Sequence, residues 1–205
     1  MGLSLIANEV LLLLIGTGMG ILVNLHLRRR QGEFERLAEA ADGQMKGILH
    51  RMSLWLPEED KDAYRPDCFP ELKKALHAAK ACAVSDYGNT LLAKSVYELD
   101  YIAMREQQSM VLREIYDNIR RIRYLPVQAE QVAGLLGEIG EDFRRDNTVE
   151  GLLEKLEALL AGMKSQPLPD SREEFEARAI LFYILMQVRQ FLEIKREFVL
   201  GHGQD

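Results

Sequence analysis

Two hydrophobic patterns divide the chain. Residues 3–27 form one apolar run, and its strongly polar members, Asn8, Glu9, Asn24 and His26, all lie toward the ends. Residues 5–27 would make about 34 Å of helix, enough to cross a hydrocarbon layer about 30 Å thick. Beyond the run, apolar residues are spaced rather than continuous. Phe34, Leu37, Ala41, Met45, Ile48, Met52 and Trp55 follow one another by three or four positions, the repeat of a single helix face. Pro57 and Pro66 bound a polar loop. Pro70 suits a first helical turn and predicts a helix to about Asp86, before the break signal Tyr87-Gly88-Asn89. Residues 91–123 contain neither Gly nor Pro, and Val96, Leu99, Ala103, Met110, Ile115, Ile119 and Ile122 mark the side expected to be buried.

The same signals continue to the C-terminus. Pro126 opens a helix expected to reach about Arg145, and Asn147 with Glu150 is expected to cap another over 148–164. Pro167 and Pro169 stiffen the connector 165–170. Ser171 and Glu174 then form an S-x-x-E capping box for a last helix to about Leu200. Its stretch AILFYILM (179–186) is apolar all round, which predicts burial on most sides, and 201–205 read as a frayed tail. No stretch alternates as a strand would. The predicted fold is all-α: a transmembrane helix in residues 1–30, then an antiparallel bundle of five or six helices in residues 31–205.

Charge orients this arrangement. Glu9 is the only acid of residues 1–30, and Arg28, Arg29 and Arg30 are their only bases. No base precedes the apolar run, so a retained membrane helix fits better than a cleaved signal peptide. The three arginines belong on the cytoplasmic side, which puts the N-terminus outside a bacterial inner membrane and residues 31–205 in the cytoplasm. Cys68 and Cys82 are then expected as reduced thiols. The whole chain carries 26 Lys and Arg against 32 Asp and Glu, and without the first thirty residues the balance is 23 against 31, or −8. Such an acidic domain repels phosphate, so no nucleic-acid partner is expected. Gly16 and Gly20, with Gly18 between them, form a G-x-x-x-G that flattens one face of the membrane helix, suited to other membrane helices or to a second copy of the chain. Glu9, near the outer boundary, reads either as a headgroup-level anchor or as an intramembrane polar site.

Motifs of catalysis are missing. There is no P-loop, dinucleotide glycine fingerprint, H-E-x-x-H or G-x-S-x-G. His26, His50, His77 and His202 have no Cys, His or acid at a recognised ligand spacing, so neither a metal nor a cofactor is expected. No polar cluster stands out on the apolar helix faces, where bundle active sites are built. Arg172 with Glu176 and Glu174 with Arg178 read as i,i+4 pairs on a solvated face, and Arg120, Arg121 and Arg123 as a solvated helix end. The expectation is a protein that is not an enzyme.

Two blocks carry a family resemblance. NEVLLLLIGTGMG (8–20), running on to Asn24, resembles the last membrane helix of the bacterial aromatic acid exporter family, in the wider group of fusaric-acid-resistance proteins. PLPDSREEFEARA (167–179), with Ser171, Arg172, Glu174 and Arg178, followed by the apolar run and Phe191-Leu192, resembles the family's C-terminal cytoplasmic helical domain. The order and spacing of the blocks match over nearly the whole chain. The resemblance implies a non-catalytic assembly or regulatory domain, attached to a membrane bundle that exports aromatic carboxylates. It also implies about six membrane helices ahead of the domain, where this chain supplies one and cannot by itself enclose a substrate path. The competing expectation is a stand-alone, signal-anchored helical scaffold that binds a cytosolic protein.

Overall fold

The computed structural model describes the backbone of residues 2–61, 63–87, 94–145 and 147–202, and the side chains of these except 2–7, 24–31, 86–87 and 94–95. Six helices are described: α1 (Gly2–Trp55), α2 (Phe69–Tyr87), α3 (Lys94–Ile119), α4 (Gln128–Glu141), α5 (Glu150–Lys164) and α6 (Arg172–His202). No strand occurs among the described residues. Cross-helix pairs fix an antiparallel order. Lys80 of α2 meets Glu106 of α3, while Phe69 meets Tyr116. In α3, Gln108 reaches Phe191 of α6 and Asn118 reaches Gln187. In α5, Glu150 and Glu157 meet Arg196 and Arg189 of α6.

The α1 stripe behaves as its spacing demands. Phe34, Ala41, Met45, Ile48 and Met52 are buried, with Leu37 and Trp55 half-buried beside them. Between α1 and α4 the backbones come close at Gly140, where an added Cβ would stand 3.4 Å from Leu49 Cβ and 3.8 Å from the His50 nitrogen. The apolar interior falls into two parts. A small cluster gathers Phe34, Ala38, Ala79, Ala83, Tyr101, Ile102 and Met104. A large one runs from Ala41 of α1 through Val111, Ile115 and Ile119 of α3 to Leu181, Ile184 and Leu192 of α6.

Several expectations need correction. The expected membrane segment and the first helix of the bundle form one unbroken helix, α1, of 54 residues. Among the described residues no helix is long and apolar enough to cross a membrane. The ends of the expected span, including Arg28, Arg29 and Arg30, lie outside the described side chains. The break signal at Gly88-Asn89 also lies outside the described residues. On α3, Val96, Ala103 and Met110 are exposed, because Tyr101, Arg105 and Gln108 occupy the inward face there. Helix α4 stops at Glu141 rather than near Arg145.

Asn147 does not cap α5. Its Oδ1 accepts the Val149 N–H at 2.8 Å while its Nδ2 donates to the Asp142 carbonyl at 2.9 Å, so it ties the α4–α5 turn together. Val149 precedes the helix in the left-handed region, at φ 61°, a strained setting for a β-branched residue that its buried side chain holds in place. Helix α6 is not buried on most sides: Phe182 and Tyr183 are 42% and 53% exposed. Its end does not fray at Gly201. His202 stacks on Phe198 and its Nε2 lies 3.2 Å from Asp100 of α3, while residues 203–205 are outside the described part.

Candidate functional site

Three places concentrate the chemistry. The first is the N-terminal part of α1, where the sequence placed Glu9 and the three glycines. Residues from Val10 to Val23 project large apolar side chains on every side, with Leu13 71% exposed and Leu22 63%. Glu9 is exposed, and no other part of the described chain comes within 4 Å of a Cβ built at Gly16, Gly18 or Gly20. This stretch has no packing partner among the described residues.

The second place lies between the two apolar clusters and contradicts the expectation that no polar cluster interrupts the helix faces. Arg105 of α3 is completely buried. Its Nε lies 2.9 Å from Asp42 Oδ1 of α1, an ion pair rather than an aligned hydrogen bond. Arg105 Nη1 donates to Gln108 Oε1 at 2.6 Å, and Nη2 donates to the Tyr101 hydroxyl oxygen at 3.0 Å. The guanidinium lies over Phe143, 4.3 Å from the ring centre. The Tyr101 hydroxyl donates to Asp42 Oδ2, and Gln108 Nε2 donates to the Phe191 carbonyl at 2.7 Å. Arg145 closes the outer side, its guanidinium 4.8 Å from the Tyr101 ring centre. Burial pushes the Tyr101 phenol up to about 12; the Asp42 carboxylate adds to the rise and Arg105 opposes it.

Every group in this layer addresses another part of the same chain. The arrangement joins α1, α3, α6 and the α4–α5 turn, and its chemistry is that of a clamp. A signal for it was present: Tyr101, Arg105, Gln108, Leu112 and Ile115 follow one another by three or four, so polar residues hold positions of the inward stripe.

The third place is the start of α6. Ser171 Oγ accepts the Glu174 N–H at 3.1 Å, and Glu174 Oε2 accepts the Asp170 N–H at 3.0 Å. Arg178 Nη1 donates to the Pro167 carbonyl at 2.7 Å and Nη2 to Glu174 Oε1 at 2.5 Å. Arg172 pairs with Glu176 at 2.9 Å on the solvent side. The P-L-P-D-S-R-E-E-F-E-A-R block is therefore a folded corner in which one carboxylate and one guanidinium hold the proline connector against the helix. The Asp170 N–H, with Arg178 assisting, holds the Glu174 carboxyl below the usual carboxylate range. Among the described residues no group of three His, Cys, Asp or Glu could hold a metal ion. The grooves beside α5 are open and shallow, one of them lined by Glu150, Glu154, Glu157 and Glu193 with Arg196 and Leu153.

Comparison with known proteins places this architecture. Over 195 residues the chain is 27% identical to the protein YqjA of Bacillus subtilis (strain 168), covering 95% of this chain and 60% of that protein. It thus spans about three-fifths of the length of that relative. The crystal structure of a "putative membrane protein" from Clostridium difficile 630 superposes with a TM-score of 0.70 at 25% identity, over 81% of this chain and 98% of that one. Residues 31–196 match the family described as "putative aromatic acid exporter C-terminal domain". That match takes in the clamp and the Ser171 corner, and the chain belongs to this family.

Proposed function

We propose that the chain is the cytoplasmic, non-enzymatic helical domain of an aromatic acid exporter and serves the assembly or regulation of its membrane part. The observation that carries this reading is the continuity of α1. Its first part is apolar and exposed on every side, and its last part is built into the bundle core. A helix apolar all round requires apolar surroundings, which a lipid bilayer or other membrane helices provide. In this reading the N-terminus faces outward across the inner membrane. Gly16 and Gly20, four residues apart, form the smooth face on which neighbouring helices pack, and Glu9 faces those helices rather than lipid. Substrate passes through the membrane bundle, and the domain senses or steadies that bundle through α1.

The test uses cells that express the membrane part of an exporter of this family. Adding this chain is expected to change tolerance to an aromatic carboxylate such as a hydroxybenzoate. Gly16→Leu with Gly20→Leu should weaken the effect by preventing close helix packing. In cells without the membrane part the chain should change nothing. Tolerance conferred by the chain alone, and insensitive to the glycine substitutions, would sink the proposal.

A further inference from the structure

We infer that the outward face of α6 is a docking surface for a second copy of this chain, which binds as an antiparallel helix pair with its twofold axis between Phe182 and Tyr183. Phe175 and Tyr183 are 61% and 53% exposed, Phe182 and Ala179 are exposed, and Met186 is half-buried. Their spacing of i, i+4, i+7, i+8 and i+11 puts them on one face. Further along, that face turns polar with exposed Gln190, Glu193 and Glu197, and at its other end stands Arg172, 86% exposed.

The face is self-complementary when reversed. With the axis between 182 and 183, Phe182 lies against the partner's Tyr183 and Ala179 against the partner's Met186, so a small residue meets a large one. Arg172 lies against the partner's Glu193, and symmetry makes every contact twice. Two aromatic pairs and two opposite-charge pairs then cover an apolar surface that is otherwise bare. The antiparallel sense also opposes the two helix dipoles. A parallel pair would set Arg172 against Arg172. An anionic lipid surface fits poorly, because Glu176, Glu193 and Glu197 stand exposed on or beside the patch. One helix pair is smaller than a standard interface of about 800 Å² per partner, so association in the micromolar range is expected.

The experiment uses the full chain in detergent micelles with Cys68→Ser and Cys82→Ser. The double variant Ala179→Cys/Met186→Cys should form a covalent dimer on oxidation, whereas Ala179→Cys alone should not. Within one helix positions 179 and 186 are about 10 Å apart, too far to bridge. In sedimentation from about 1 to about 100 µM, Phe182→Glu should raise the dissociation constant at least about tenfold. At concentrations where the chain is monomeric its melting curve should stay unchanged, since the ring faces outward. Arg172→Glu should weaken the pair, and adding Glu193→Arg should restore it. A chain that remains monomeric across this range overturns the inference. So does a dimer that ignores Phe182→Glu and responds only to Gly16→Leu with Gly20→Leu. Neither result bears on the exporter reading, whose test is tolerance.

Discussion

Arg105 shows how much one residue can hold. A guanidinium removed from water is tolerable here because Asp42, Tyr101 and Gln108 all face it. Arg105→Met should destabilise the fold by about 3 kcal/mol, since it leaves the Asp42 carboxylate with only Arg145, 4.0 Å away at the outer edge, and takes the donors from Tyr101 and Gln108. Combining it with Asp42→Leu should cost less than the two changes separately; strict additivity in urea titrations would show that the layer is not a coupled unit. The phenols give a pH dependence. Tyr101 ionises at about 12 in the folded chain against about 10 when unfolded. Its contribution is therefore complete below pH 10 and is lost as pH rises through 12. Burial pushes Tyr64 and Tyr116 in the same direction. Unfolding midpoints should fall steadily above about pH 10, and Tyr101→Phe should make that fall shallower.

Capping decides how α6 begins. Ser171 satisfies the Glu174 N–H, so Ser171→Ala should cost about 1 kcal/mol and Ser171→Asp almost nothing. Equal loss from both, read from thermal melts, would make the corner a packing contact instead. This element was legible because all its partners lie within a few residues. The α1 stripe was legible because Phe34 through Trp55 keep one period without a polar interruption. Elsewhere local rules met nonlocal ones. AILFYILM says nothing about which neighbours α6 has, and α3, α4 and α5 leave Phe182 and Tyr183 outside. Asn147 has cap chemistry, yet Asp142 stands close enough to claim its amide. On α3, counting only apolar residues skipped Tyr101, Arg105 and Gln108 and shifted the N-terminal half of the stripe onto the solvent side. The clamp itself needs Asp42, about sixty residues away in sequence, which no periodicity can supply.

At the scale of the whole molecule, two apolar clusters meet at one polar layer, and α1 passes through all three levels. The family match begins at residue 31, where the helix has no break. A continuous α-helix transmits angle as well as distance, advancing about 100° per residue. The azimuth of the bundle is therefore geared to the azimuth of Gly16 and Gly20. One alanine inserted after Gly32 would turn the bundle by about 100° while lifting it only about 1.5 Å. Seven alanines would lift it about 10 Å and return it to within about 20° of its first heading. In the tolerance assay the one-residue insertion should abolish the effect of this chain, and the seven-residue insertion should largely recover it. Activity that declined smoothly with added length would mean that α1 acts as a tether; recovery at seven would mean that it acts as a drive shaft.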